Sequence, residues 1–440
     1  MSHPALPTGD HYAPTEYASL IHSILAETLP ARSETLPLGQ VAGRVLAEDL
    51  TAPYPAPSFT NSQMDGYALT ATGATAPRRI FQVGPDIPAG SATRDHAVAD
   101  HLAYPIMTGA PLPAGYRAVV PVELTRVIGA EADQAGFAPA GGQVEIPVAE
   151  PGQFVRNIGE DILAGELLAP AGTPLTPALL GALAAQGIGQ VPVREKLRLL
   201  VVTGGDELAP HPSPGEGDTA QVPPAAGTIF DANGPMLRAL AEHDGCITER
   251  LATSDSTEDF CTGLTEAVER FHPDLVVTSG GISAGKYEVV RKGLTRLAPQ
   301  TWFGHVTQQP GGPQGIALLP GSGSSPLPVL CLPGNPVSTL ISYHLLLRPT
   351  LAALAGRPVS RREAILVTDQ ALQAPAGKTQ YRRASLKAEV QKGGAVLTLA
   401  TPDPATGSHL LHRAAQAQAL IELEPDVVYT AGKTVTVIPL

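Results

Sequence analysis

The sequence predicts a multidomain protein in which an α/β domain with a parallel-rich sheet is joined to separate β domains. Strands and helices alternate from Leu197 to Leu347, the pattern of a sheet covered by helices on both faces. Short apolar runs broken by Gly and Pro extend from Pro53 to about Pro151 and return after Pro358, which reads as β structure. A chain of 440 residues also exceeds the roughly 250–300 residues that one hydrophobic core can fill.

In chain order, Tyr17, Leu20, Ile21, Ile24, Leu25 and Thr28 recur at helical spacing, and the helix is expected to end at Pro30. The runs Ala118–Val122 and Val144–Val148 are strands of an inserted β domain. Leu175–Gln186 is helical, with Thr176 as cap, Pro177 at the first helical position and Gly187 at the C-terminal end. Strand Leu197–Thr203, helices Gly234–Asp244 and Glu258–Phe271, and strand Asp274–Thr278 follow. Strand Val329–Leu332 leads into a helical run through Leu347, after a loose stretch from Pro320 to Pro328. A Pro/Gly-rich excursion occupies Leu208 to Thr228. Beyond Gly356-Arg357-Pro358, strands Ala364–Thr368, Arg382–Val390, Ala395–Leu399, Ala419–Leu423 and Thr434–Ile438 form a small barrel or sandwich.

Lys plus Arg number 29 against 41 Asp plus Glu, a balance of −12. That charge repels a phosphate backbone, so nucleic acid is not an expected general partner. Met1–Ala13 is polar and Pro-rich, and no stretch reaches the ~18 apolar residues of a membrane span. A cytoplasmic protein without membrane association is expected. Cys246, Cys261 and Cys331 lack metal-ligand or disulfide spacing and read as small buried apolar groups.

Three loops follow apolar strands: Thr203-Gly204-Gly205-Asp206-Glu207-Leu208, Thr278-Ser279-Gly280-Gly281-Ile282-Ser283-Ala284-Gly285 and Leu332-Pro333-Gly334-Asn335-Pro336-Val337-Ser338. Ligands of open α/β sheets sit beyond the carboxyl ends of the strands, where glycines let backbone N–H groups approach a phosphate. A plain turn would use Gly-Gly-Asp too; it is the repetition of strand, Gly loop and helix that favours an anion site. Asn61–Tyr67 contains an Asp-Gly turn at Asp65, and Arg156–Asp161 gathers a guanidinium with Glu160 and Asp161. Carboxylates suit Mg²⁺ and Arg suits phosphate, although a surface ion pair would look the same.

Taken together these motifs resemble the MoeA family, the molybdopterin molybdenumtransferases, and are similar to the gephyrin E domain. The resemblance runs through Glu34–Leu38, Gly43–Asp49, Pro57–Phe59, Asn61–Tyr67, Thr108–Pro113, Arg156–Asp161, Gly205–Leu208, Asp231–Asn233, Ser279–Gly285 and Leu332–Pro336, in the family's order. It implies a discontinuous N-terminal domain from 1–52 and 157–192, an inserted β domain at 53–156, a central MogA/MoaB-like molybdopterin-binding α/β domain at 193–357 and a C-terminal β-barrel at 358–440. It also implies a homodimer, with other proteins of molybdenum cofactor biosynthesis as further partners. The implied reaction inserts molybdenum from molybdate into adenylylated molybdopterin with Mg²⁺ and releases AMP.

Carried over by position, Asp65, Thr108, Asp161, Glu207 and Asp255 would be catalytic. Arg156, Gly205, Asp206, Ser279, Gly280, Gly281, Ser283, Gly285, Pro333, Gly334, Asn335 and Ser408 would bind substrate, and Glu207, Asp255 and Glu288 would hold the metal. Asp65, Thr108, Arg156 and Asp161 would face the cleft from a second subunit.

The chain departs from the family at several places. Lys-Pro-Gly-Lys-Pro is replaced by Gln309-Pro310-Gly311-Gly312-Pro313, and the lysine expected four residues earlier is His305. The continuation of the second loop reads Gly285-Lys286-Tyr287-Glu288, where Glu288 stands in for an acidic residue and Lys286 would supply positive charge from another direction; Gly204 takes the place of a threonine. Fewer fixed charges imply weaker oxyanion binding. This leaves as alternatives a weakly active or non-catalytic paralogue acting as a pterin-binding scaffold, or an adenylyltransferase using the central domain alone. On the sequence, Gln309→Lys with Gly312→Lys should restore activity if it is lost.

Overall fold

The computed structural model describes residues 4–77, 79–91, 96–209, 224–282, 288–321, 325–391 and 394–440. They fall into two compact units, one of Met1–Leu36, Gly43–Val45 and Pro192–Leu440, the other of Pro37–Ala42 and Leu46–Val191.

The first unit is organised on a seven-stranded sheet. Its elements are β1 (His11–Tyr12), α1 (Pro14–Thr28), β2 (Arg198–Gly204), α2 (Asn233–His243), β3 (Ile247–Thr253), α3 (Thr257–Phe271), β4 (Leu275–Ser279), α4 (Val289–Leu297), β5 (Gln300–Val306), β6 (Pro313–Leu319), β7 (Leu327–Leu332) and α5 (Pro336–Ser342). The strand order is β1-β5-β6-β7-β4-β2-β3. β2 pairs in parallel with β3 and β4, and β4 with β7. β6 is antiparallel to both β5 and β7, so the sheet is mixed where the alternation of elements predicts parallel pairing. The link from β5 to β6 is too short for the crossover that parallel neighbours need. Reversal at β6 leaves the carboxyl ends of β2, β3, β4, β5 and β7 at one edge.

Successive residues of β2 serve opposite faces, as the two-residue period of a strand requires. Leu199 and Val201 pack with Tyr17, Leu237 and Ile341, whereas Leu200 and Val202 pack with Phe260, Leu264 and Leu294. Both faces are therefore covered by helix. α1 starts at Pro14, three residues before the expected Tyr17, because Pro14 fits the first helical position. β7 starts at Leu327, taking in Pro328 from the stretch expected to be loose. The helical run does not stop at Leu347: α5 passes through a π-helical turn at Tyr343–Leu347 into a helix at Arg348–Leu354. Of the excursion after Leu208, 210–223 lie outside the described residues; Leu208–Ala209 pairs with Ile229–Phe230.

The C-terminal strands Arg362–Leu366, Thr379–Val390, Val396–Pro402, Ala419–Leu423 and Thr434–Pro439 close a five-stranded barrel, since Thr379–Val390 pairs at once with Val396–Pro402 and Ala419–Leu423. A two-residue strand, Gln308–Gln309, pairs with Thr379–Gln380. This pairing fixes the start of the barrel beside the β5–β6 loop.

The second unit contains a six-stranded sheet formed by Gly66–Thr70, Ile80–Val83, Leu102–Ile106, Tyr116–Pro121, Arg126–Ile128 and Gln143–Glu145. Tyr67, Phe81, Val120, Phe137 and Val144 fill its core. The same unit holds helix Pro177–Ala185, capped by Thr176, whose side chain accepts from Leu179 N. Cys246 and Cys331 are buried and Cys261 half-buried, all three as free thiols. Among the described residues no helix is long and apolar enough to cross a membrane.

Candidate functional site

The strand ends of the first unit open into a cavity of about 1060 Å³. Its wall begins with the loops after β2, β4 and β7. Gly280 N donates to Leu332 O at 3.1 Å, and Ser279 Oγ donates to Pro333 O at 3.2 Å. The backbones of the two loops touch, because a Cβ on Gly334 would stand 3.2 Å from Gly280 Cα. Asn233 at the start of α2 donates its side-chain amide to Gly334 O at 2.7 Å. Gly280 and Gly281 have φ of 96° and 65°, open only to glycine at low cost. Gly205, Ser279, Gly280, Gly281, Pro333, Gly334 and Asn335 all line the cavity. Ser283 and Gly285, expected with them, lie outside the described residues, as do Lys286 and Tyr287.

The loop after β2 carries the acidic groups. Glu207 folds back over Gly205, where any Cβ would collide with its carboxylate. Asp206 and Asp255 hold one another: Asp255 N donates to Asp206 Oδ1 at 3.1 Å and Asp206 N to Asp255 Oδ2 at 3.4 Å. Glu207, Asp255 and Glu288 line the cavity, whereas Asp206 serves to shape the loop. Among the described residues no three His, Cys, Asp or Glu side chains form a ready-made metal cluster, so Glu207, Asp255 and Glu288 are not a preformed cage. Gly204 has its own reason: a Cβ there would run into Thr253 Oγ1 on β3.

The positions where the family motif has lysines also line the cavity. Gln309 is exposed, and its Oε1 accepts from Gln380 Nε2 at 2.9 Å. Gly312 is buried, and the imidazole of half-buried His305 covers it so closely that a Cβ on Gly312 would collide with Nε2. Burial, then Lys378, then His11 hold His305 below its usual pKa of 6.5. Lys378 comes from the turn that enters the barrel and lines the cavity with His305. It was not among the residues marked in the sequence. The pairing of Gln308–Gln309 with Thr379–Gln380 brings it here. Ser408 also lines the cavity, on a loop held by the bond from Val337 N to Ser408 O at 3.1 Å.

In the second unit, Asn61–Ser62 pairs with Val155–Arg156, and Ser62 exchanges backbone bonds with Gly109 and Ala110. These contacts gather Asp65, Thr108 and Arg156. Thr108 donates its N–H and its hydroxyl to Asp65 Oδ1, and the two bonds lower the Asp65 pKa. Asp161 N donates to Ala56 O at 2.9 Å, leaving its side chain exposed.

Three family models match the chain: the MoeA N-terminal region (domain I and II) over 15–187, a probable molybdopterin binding domain over 200–353, and the MoeA C-terminal region (domain IV) over 366–440. Molybdopterin molybdenumtransferase 2 of Mycobacterium tuberculosis is 37% identical over 93% of this chain and 96% of its own length. Molybdopterin molybdenumtransferase of Synechococcus elongatus is 33% identical over 85% and 88%. A solved molybdopterin biosynthesis MoeA protein from Pyrococcus horikosii superposes with a TM-score of 0.75 at 25% identity, covering 96% of this chain and 98% of that one.

Proposed function

Since this chain belongs to the MoeA family of molybdopterin molybdenumtransferases, the transferases of molybdenum cofactor biosynthesis, we propose that its cavity joins molybdate to adenylylated molybdopterin and releases AMP. The observation that carries this reading is the convergence of the Ser279–Gly281 and Pro333–Asn335 turns with Glu207, Asp255, Lys378 and Ser408 around one cavity. Backbone N–H groups at glycine turns suit phosphate oxygens. Lys378 and the Ser408 hydroxyl suit a tetrahedral oxyanion. The cavity thus offers groups for a phosphate and groups for an oxyanion, as a reaction that brings two anions together requires.

Glu207 and Asp255 fit Mg²⁺ by their chemistry, since both offer hard carboxylate oxygens and Mg²⁺ commonly takes one or two carboxylates together with substrate phosphates. When bound, the ion would neutralise charge on the phosphoanhydride. Glu207, packed against Gly205, and Asp255, fixed by Asp206, orient the substrate there; Lys378 and Ser408, which line the same cavity, hold the oxyanion.

We assign Asp65, Thr108, Arg156 and Asp161 to the same reaction, delivered by a second copy of the chain in a homodimer. Exposed Tyr54, Phe59, Ile158, Leu163 and Leu167 support an interface in the second unit, because segments 52–56 and 161–166 are hydrogen-bonded together there.

Incubation of purified protein with adenylylated molybdopterin, Mg²⁺ and molybdate should release AMP, and Lys378→Gln should slow it. Tight binding of the pterin nucleotide without turnover would point to the scaffold role instead.

A further inference from the structure

The oxyanion seat of the cavity differs in kind from a seat built on lysines. His305 is the last residue but one of β5, and its ring rests on the bare Cα of Gly312 just before the next strand. Any side chain at 312 would have to displace it. The two departures from the family motif are therefore one structural unit: the glycine makes room, and the imidazole fills it. Behind His305, β1 pairs in parallel with β5 in the register His11 to His305, and the two rings lie 5.9 Å apart at 47°. Backbone bonds from His305 N to Asp10 O at 2.9 Å and from Thr307 N to Tyr12 O at 2.8 Å keep that strand in place.

We propose that His305 is a specificity-determining residue of the oxyanion seat, and that its protonation, with His11 behind it and Lys378 lining the same cavity, sets the affinity for a tetrahedral dianion. This deepens the reading that the cavity takes an oxyanion and rests on it.

The titratable side chains acting on His305 are Lys378 and His11, while Asp10 meets it through its backbone carbonyl and Gln308 and Gln309 are neutral. Partial burial, then Lys378, then His11 disfavour the imidazolium in the empty cavity. A dianion placed between His305 and Lys378 reverses the balance, because the imidazolium then gains an opposite charge. Binding should therefore take up a proton. A group that gains a proton on binding raises affinity as pH falls, by up to about tenfold per pH unit. A lysine at that position would show no such slope near neutrality.

Sodium molybdate is the probe, titrated calorimetrically into the full-length protein between about pH 6 and 8, in buffers that differ in ionisation heat, a window chosen around the ordinary His pKa. The wild type should take up a proton and bind more tightly at the acid end. His305→Gln should lose both effects while still binding at the alkaline end, and Lys378→Gln should weaken binding at every pH but keep the proton uptake. Absence of proton uptake in the wild type overturns the proposal even if His305→Gln fails to fold. An unchanged slope in His305→Gln overturns it as well, leaving the oxyanion reading intact so long as Lys378→Gln still weakens binding. If Lys378→Gln binds as the wild type does, the oxyanion reading fails with it.

Discussion

Thr108 donates both its backbone N–H and its hydroxyl to Oδ1 of Asp65, at 2.6 and 2.7 Å. The backbone bond, and after it the hydroxyl bond, stabilises the ionised carboxylate and lowers its pKa. The stability gained this way is present above the unfolded pKa of about 3.9 and is lost as pH falls through the lower folded value. Thr108→Val keeps the N–H and removes the hydroxyl, so Asp65 should titrate at higher pH than in the wild type, while Thr108→Ser should leave it in place. Carboxyl ¹³C NMR measures this, and coincident titrations in the two variants would show that the hydroxyl has no hold on Asp65.

Gly312 carries a steric consequence that the motif alone does not show. Read from the motif, Gly312→Lys restores a missing charge. The structure places the His305 ring in the space that the new Cβ needs. Gly312→Ala should therefore destabilise the protein by about 1–3 kcal/mol through overpacking, and His305→Ala combined with it should recover most of that loss. A double-mutant cycle followed by denaturant unfolding gives the coupling; additive effects would mean the ring moves aside freely.

What could be read from the sequence and what could not divide along the same line. Gly204–Glu207, Ser279–Gly281 and Pro333–Asn335 announce themselves because each follows an apolar strand, and all three do reach one cavity. β5 and β6 escaped notice: β5 is interrupted by Gly304 and His305, and a strand beside the short β1 need not alternate cleanly. Lys378 was invisible for a different reason. Its position depends on the pairing of Gln309 with Gln380, a tertiary event with no local signature. Asp206, conspicuous beside Glu207, turned out to brace Asp255.

Gly334 tests whether the two loops must touch for the proposed phosphate seat. Its Cβ would press on the backbone at Gly280 Cα at 3.2 Å, where neither atom can rotate away. Gly334→Ala should separate the loops by a few tenths of an ångström. Affinity for adenylylated molybdopterin should then fall by about tenfold, equal to 1.4 kcal/mol, while molybdate binding at His305 stays as in the wild type. Equal losses for both ligands would indicate general unfolding of the cavity.

Tyr343 and Asp244 offer a test of the core that supports the sheet. Tyr343 Oη donates to Asp244 Oδ2 at 2.8 Å, and Arg348 Nε lies 3.6 Å from Oδ1. Burial nevertheless outweighs both partners and raises the Asp244 pKa. A carboxyl whose folded pKa is raised binds its proton more tightly in the folded state, so its contribution to stability is greatest below the unfolded value of about 3.9 and declines as pH rises to the folded one. Tyr343→Phe removes a bond that favours the ionised form, at a cost of about 1–3 kcal/mol, and raises the folded pKa further. The loss should be smaller near pH ~4, close to the unfolded Asp value, where the raised pKa keeps more of Asp244 protonated, and larger at neutrality. The single tryptophan, Trp302, lies in the same core as Tyr343, so its fluorescence during urea unfolding follows this region. A stability loss that is the same at both pH values would show that the tyrosine hydroxyl does not act through the charge on Asp244.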